Sequence, residues 1–148
     1  MNQTNSPGLS HYVLLRADNL RLLIPQADIS ATEHLESLPI ASGMPGILAV
    51  PGKEDACFIV LSDTFQLLDS CPGNRYVTTK FIADDGMEMS WCWTEIRVFT
   101  DFALQLHDVP EVLLHSSSPL RQYVIMADQP VFLCSAQILQ HLVLGAGI

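Results

Sequence analysis

The chain has 148 residues, 49% of them hydrophobic and only 16% charged, which excludes global disorder and leaves room for one domain or two small subdomains sharing a core. Sixteen acids against seven Lys and Arg give a formal charge of −9, and the bases are scattered from Arg16 to Arg121. That balance argues against a nucleic-acid or anionic-membrane surface.

Residues 1–10 carry no Lys or Arg and no apolar run, so they lack the parts of a secretory signal and are expected to form a flexible N-terminal segment. No stretch approaches the roughly 20 apolar residues a membrane span needs, and a cytoplasmic location without membrane insertion is expected. Cys57, Cys71, Cys92 and Cys134 are far apart, with no Cys-x-x-Cys pair to suggest zinc or redox chemistry, so they are expected to be buried thiols. A mean hydropathy of +0.28 without a membrane segment implies apolar surface that something else covers, in the first place a protein partner.

In chain order, most of the sequence reads as short strands with turn signals between them, the pattern of an all-β sandwich or barrel. Tyr12-Val13-Leu14-Leu15-Arg16 and Leu20-Arg21-Leu22-Leu23-Ile24 flank Ala17-Asp18-Asn19, whose Asp and Asn suit a tight hairpin. Pro25 lacks the donor to continue a ladder, so the second strand ends or lies at an edge there. Ile47-Leu48-Ala49-Val50 is an apolar strand bracketed by Gly43, Pro45, Gly46, Pro51 and Gly52, and Lys53-Glu54-Asp55 is a solvated loop. Cys57-Phe58-Ile59-Val60-Leu61 is a second buried strand. Asp63 is placed to cap a short helix carrying Phe65, Leu67 and Leu68, and Pro72-Gly73-Asn74 closes that unit.

Residues 76–83 and 88–93 read as strands around the turn Asp84-Asp85-Gly86. Met89, Trp91 and Trp93 share one face, and Glu88, Ser90 and Cys92 the other, as a period of two requires. After Thr94 the apolar set moves to Ile96 and Val98, the opposite parity, which predicts a bulge or strand break near Thr94. Residues 102–106 and 111–114 are apolar segments split by Pro110, followed by the loop Ser116-Ser117-Ser118-Pro119. Residues 122–126 and 131–134 form a hairpin across Ala127-Asp128-Gln129-Pro130. Ser135 then caps a final helix with an apolar stripe of Ile138, Leu139, Leu142 and Val143, stopped at Gly145.

This layout resembles the CheW-like domain, the small adaptor fold of bacterial chemosensory systems. The similarity runs from about Tyr12 to Leu142. Tyr12-Val13-Leu14-Leu15-Arg16, then Leu22-Leu23-Ile24-Pro25 and Ala27-Asp28-Ile29, is similar to the family's opening hairpin and the lead into its third strand. Gly46-Ile47-Leu48-Ala49-Val50-Pro51-Gly52 resembles its glycine, apolar and Asn-Leu-Arg-Gly turn, and residues 58–61 and 63–68 its following strand and short helix. Residues 103–113 are similar to its apolar strand and the Val-Asp-x-Val step that follows, and residues 131–134 and 135–142 to its last strand and helix. Pro51 stands where the family usually has an arginine, and His107 where it has an aspartate.

The resemblance implies a mostly β fold of two small five-stranded barrels sharing a core, spanning residues 11–144, with short helices including one at the C-terminus. It implies a non-enzymatic scaffold that uses no cofactor and links a chemoreceptor or motility-type sensor to a histidine kinase, with a divergent adaptor serving a pilus-type pathway as one form. Carried over position by position, the partner contacts fall on Ile29, Ala31, Gly46, Pro51 and Gly52.

The residues offer little chemistry of their own. Cys92 between Trp91 and Trp93 could suggest a nucleophile, yet alternation sets it on the opposite face and no histidine lies near it in sequence. His107-Asp108 and His115 lack a metal-ligand spacing. Asp84-Asp85-Gly86 lacks the alternating oxygen ligands of a calcium loop, and Gly43, Gly46 and Gly52 are too loosely spaced to cradle a phosphate. A reading of a different class is a β-barrel that binds a small apolar ligand, or an enzyme, with Met89, Trp91 and Trp93 lining its cavity.

Overall fold

A computed structural model describes residues 10–53, 56–82, 88–102, 105–110 and 120–145. The turn at Asp84-Asp85-Gly86, Glu54-Asp55, Ala103-Leu104, and residues 111–119 with His115 lie outside the described residues, as do residues 1–9. The chain visits two sheets in three passes. It opens in the first with β1 (Ser10–Ala17) and β2 (Leu20–Pro25), so Ser10 is already a strand residue. It then builds the second from β3 (Ile29–His34), β4 (Ile40–Met44), β5 (Ile47–Ala49), β6 (Phe58–Val60), β7 (Val77–Ile82) and β8 (Glu88–Trp93). Finally it returns to the first with β9 (Glu95–Phe102), β10 (His107–Asp108), β11 (Gln122–Met126) and β12 (Gln129–Leu133), and ends in α1 (Ala136–Gly145).

The strand orders are β10-β11-β12-β2-β1-β9 and β3-β7-β8-β6-β5-β4. Two β subdomains with a C-terminal helix are therefore present as expected, but among the described residues each has six strands rather than five, and neither order closes on itself into a barrel. Among the described residues each sheet contains one parallel pair, β12 with β2 and β6 with β8.

Strand parity explains the core. On β1 and β2, Val13, Leu15, Ala17, Leu20, Leu22 and Ile24 point between the sheets, while Leu14 and Leu23 point the other way to meet Val124 and Val131. On β8, Trp91 and Trp93 enter the same shared layer. Cys92, one residue out of phase, joins Leu48, Val50, Phe58 and Val60 in a second layer inside the other sheet. A period of two thus splits single strands between a common core and a private one. The helix seals the common core with Leu139 and Val143, and Ile138 and Leu142 pack at its margin.

Both crossings between sheets are short. The first follows Pro25, where β2 stops and a single 3-10 turn over Gln26–Asp28 redirects the chain. The second is Thr94, the one residue between β8 and β9, at the position where parity changes. The Thr94 amide donates to the Arg16 carbonyl at 2.7 Å, which fixes the break.

Three local expectations are corrected. No helix follows Asp63. Ser62 organises the segment instead, its Oγ accepting the amides of Thr64 and Gln66 at 3.2 and 3.1 Å, while Leu61 and Leu67 form an isolated bridge. A serine one residue earlier outcompetes the aspartate because it satisfies two amides within a turn. The β11–β12 loop is only Ala127 and Asp128, and Pro130 sits within β12 opposite Ile125. That position is permitted because β12 pairs with β2 only from Phe132 onward. Finally, Cys57 is exposed and Cys71 half-buried, so only Cys92 and Cys134 are buried thiols.

Candidate functional site

The resemblance places partner contacts on β3 and on the turns around β5, and the structure gives each position a distinct environment. β3 is an edge strand of the second sheet, paired on one side with β7. Its register shifts at Ser30: Ile29 lies opposite Phe81 and Ala31 opposite Lys80. Directly opposed residues share a face, and Phe81 and Lys80 point to opposite faces of β7, so this bulge turns Ile29 and Ala31 apart. Ile29 is half-buried against the common core, whereas Ala31 is exposed with Thr32, Glu33 and His34 after it. Ser30 Oγ, the extra residue, donates to the Lys80 carbonyl at 3.3 Å.

The glycines flank β5 and differ as much. Gly46 is buried, and its amide donates to Asp69 Oδ1 at 2.6 Å. Its φ of +76° is a left-handed value that glycine adopts without penalty. Pro51 and Gly52 are exposed in the turn between β5 and β6, and Gly52 has φ +88° with open space where a Cβ would be. Gly46 therefore shapes the fold, while Pro51 and Gly52 present a surface.

The two surface elements approach each other. Lys53 Nζ, next to Gly52, lies 3.6 Å from Glu33 Oε2 on β3. This pair brings Glu33 of β3 to the turn that carries Lys53, and the exposed Ala31, Pro51 and Gly52, each within two residues of it in sequence, make up one candidate region with it. Ile29 packs toward the common core, and Gly46 is buried just before β5, at the opposite end of that strand from Pro51 and Gly52. Glu33 and Lys53 were missed in the sequence because an ion pair across 20 positions leaves no local signal. An exposed pair of this kind contributes little stability and marks proximity rather than strength.

Apolar surface lies mainly on strands near sheet edges. Ile40 and Met44 on β4, Val98 on β9 and Ile125 on β11 are each more than half exposed.

The catalytic alternatives find no support in these environments. Cys92 is fully buried, and desolvation pushes its thiol up to about 12, the reverse of what a nucleophilic cysteine needs. Trp91 and Trp93 are fully buried and stacked at 6.2 Å, and Trp93 Nε1 donates to Thr79 Oγ1 at 2.8 Å. They fill the core as large aromatic side chains commonly do, and Trp91 Nε1 has no hydrogen-bond partner among the described residues. His107 is exposed and stacks on Tyr123 at 5.2 Å. Among the described residues, no three His, Cys, Asp or Glu side chains are grouped to hold a metal ion, and no helix is long and apolar enough to cross a membrane.

Against known proteins, the fold is the informative comparison. The crystal structure of the scaffolding protein TtCheW from Thermoanaerobacter tengcongensis superposes with a TM-score of 0.62 over 88% of this chain and 91% of that one, at 12% sequence identity. The chain has the CheW-like fold. No protein-family profile and no curated protein matches its sequence.

Proposed function

We propose that the chain is a non-enzymatic adaptor that joins protein partners in a bacterial chemosensory or motility pathway, with a chemosensory histidine kinase, a chemoreceptor, or both as its partners. The observation that carries this reading is the CheW-like fold over nearly the whole chain, shared with a protein described as a scaffold. The arrangement of side chains supports it. The region of Ala31, Glu33, Pro51, Gly52 and Lys53 is exposed on an edge strand and a turn, and the buried thiols and tryptophans are committed to packing.

Within that region Ala31, Pro51 and Gly52 are the exposed contact residues, while Ile29 and Gly46, matched to contact positions by the same resemblance, are half-buried and buried. Pro51, in place of the usual arginine, removes a charged hydrogen-bond donor from the turn and leaves Ala31, Pro51 and Gly52 as small apolar positions beside the Glu33–Lys53 ion pair. Small apolar positions bordered by charged ones suit a protein interface, which joins an apolar centre to a polar rim. The adaptor is a divergent one, and a pilus-type motility pathway suits it.

The test is affinity capture of the tagged protein from its own cells, with partners identified by mass spectrometry. Recovery of a chemosensory histidine kinase or methyl-accepting receptor is the expected result. Recovery of neither contradicts the adaptor reading.

A further inference from the structure

Asp18 sits at the tip of the β1–β2 hairpin, where a turn residue ordinarily spends its polar atoms on water. Here each of its four polar groups has a protein partner. Its amide donates to Thr94 Oγ1 at 3.1 Å, and its carbonyl accepts from Arg16 Nη1 at 3.0 Å. Its carboxylate oxygens divide between two residues of the other sheet's connections, Oδ1 accepting from Asn74 Nδ2 at 2.9 Å and Oδ2 from Arg75 Nη2 at 2.8 Å. The backbone is held at φ +56°, a left-handed conformation that Asp tolerates better than most residues.

Arg75 is the less common half of this pair, because its side chain is wholly buried. It donates from Nη1 to the Leu61 carbonyl at 2.6 Å, and its Nε has no hydrogen-bond partner among the described residues. A guanidinium withdrawn from water needs its counter-charge, and losing that partner leaves an uncompensated buried cation. Asp18 is the acid paired with it.

The residues that follow Arg75 connect this pair to the candidate site. The Tyr76 carbonyl accepts the Leu35 amide at 2.6 Å, and Val77 opposes His34 in the β3–β7 ladder. Asp18 in the first sheet therefore holds the two residues that lead directly into the anchor of β3's far end.

We propose that Asp18 is a positioning residue whose carboxylate locks the β1–β2 hairpin onto Asn74 and Arg75 and thereby fixes β3, the edge strand that carries Ala31. The lock couples the two subdomains at one point, so the shape of the exposed β3 surface depends on a carboxylate in the opposite sheet. Its bearing on partner capture rests on the adaptor reading above. The lock itself is tested without a partner, so the two claims fail separately.

The experiment is residue-resolved hydrogen exchange of the whole chain, wild type against Asp18→Asn and Asn74→Ala. Asp18→Asn keeps an acceptor and the tolerance for the left-handed turn while removing the charge. Loss of a charged hydrogen bond predicts that protection of the Leu35 amide falls by about tenfold or more, while the β11–β12 ladder, which packs in a different layer, keeps its protection. Asn74→Ala, at an exposed position, gives the same local pattern with a smaller amplitude and decides the matter if Asp18→Asn does not fold. An unchanged Leu35 amide, or an equal loss of protection throughout both sheets, overturns the proposal.

Discussion

The carboxylate of Asp28 accepts the backbone amide of Ala136 at 3.0 Å, joining the first crossing between the sheets to the start of the final helix, 108 residues later. Ser135 Oγ accepts the Ile138 amide at 3.1 Å at the same helix end, so two of the four amides that a helix leaves without partners are satisfied by side chains. Asp28→Ala and Ser135→Ala are each expected to cost about 1 kcal/mol, with Asp28→Asn costing less because it keeps an acceptor. Because both act on one helix terminus, the double variant departs from additivity. Urea unfolding of the three single variants and the double variant measures these differences.

Acid sensitivity follows from two carboxylates. Hydrogen bonds from Asn74 and Arg75 hold Asp18 below its ordinary value of 3.8, and the hydrogen bond from Arg16, aided by Arg97, holds Glu95 below 4.5. A folded-state value that is depressed means stability fully present above the unfolded-chain value and lost as pH falls through the folded one. The melting temperature is therefore expected to fall below about pH 4, with a shallower acid limb in Asp18→Asn and Glu95→Gln. Both groups are more than a third exposed, so the effect of each is modest. Calorimetry across that range checks it, and an acid limb unchanged in both variants would contradict it.

The β11–β12 hairpin carries removable strain. Its two turn residues, Ala127 and Asp128, have φ of +51° and +63°, the signature of a primed turn that favours Asn and Gly. Alanine gains nothing from a left-handed backbone to offset its Cβ contact. Ala127→Asn is expected to stabilise the fold by about 1 kcal/mol, a rise of roughly 2–4 °C in melting temperature for a chain of this size.

Thiol reactivity is ordered by burial. Cys57 is exposed, desolvation raises the half-buried Cys71, and burial pushes Cys92 and Cys134 each up to about 12. Alkylation under native conditions, followed by mass spectrometry, is expected to label Cys57 first and Cys71 more slowly. Cys92 and Cys134 should react only when denaturant opens the core. Native labelling of Cys92 at the rate of Cys57 would refute that order.

The features legible in the sequence were those carried by neighbours in the chain. The β1–β2 hairpin could be read from Asp18-Asn19 between two apolar runs, the strand break from the change of parity at Thr94, and the helix from Ser135 and the stripe that follows it. The alternation of Trp91 and Trp93 against Cys92 was visible too, although not that both faces would be buried in different layers.

What escaped was set by distant partners. Arg75 reads as an ordinary base after a Gly-Asn turn, and nothing nearby announces that it is buried against Asp18, 57 positions away. The opposite facing of Ile29 and Ala31 was hidden for a similar reason. The bulge at Ser30 reverses their relative facing, and it arises from register with β7 rather than from any residue preference on β3. The count of six strands per sheet depends equally on pairings across the chain, including a β10 of only two residues.

Ala31 is the position that separates surface from core, since it is exposed while Ile29 packs inward. The most direct measurement is a parallel affinity capture with wild type and Ala31→Glu, each also assayed for thermal unfolding. The account predicts that a chemosensory kinase or receptor is recovered with the wild type and lost with Ala31→Glu, while the two melting temperatures agree to within about 2 °C, as an exposed substitution should. Equal recovery of that partner by both proteins would move the contact away from β3, and recovery of no such partner by the wild type would contradict the adaptor function itself.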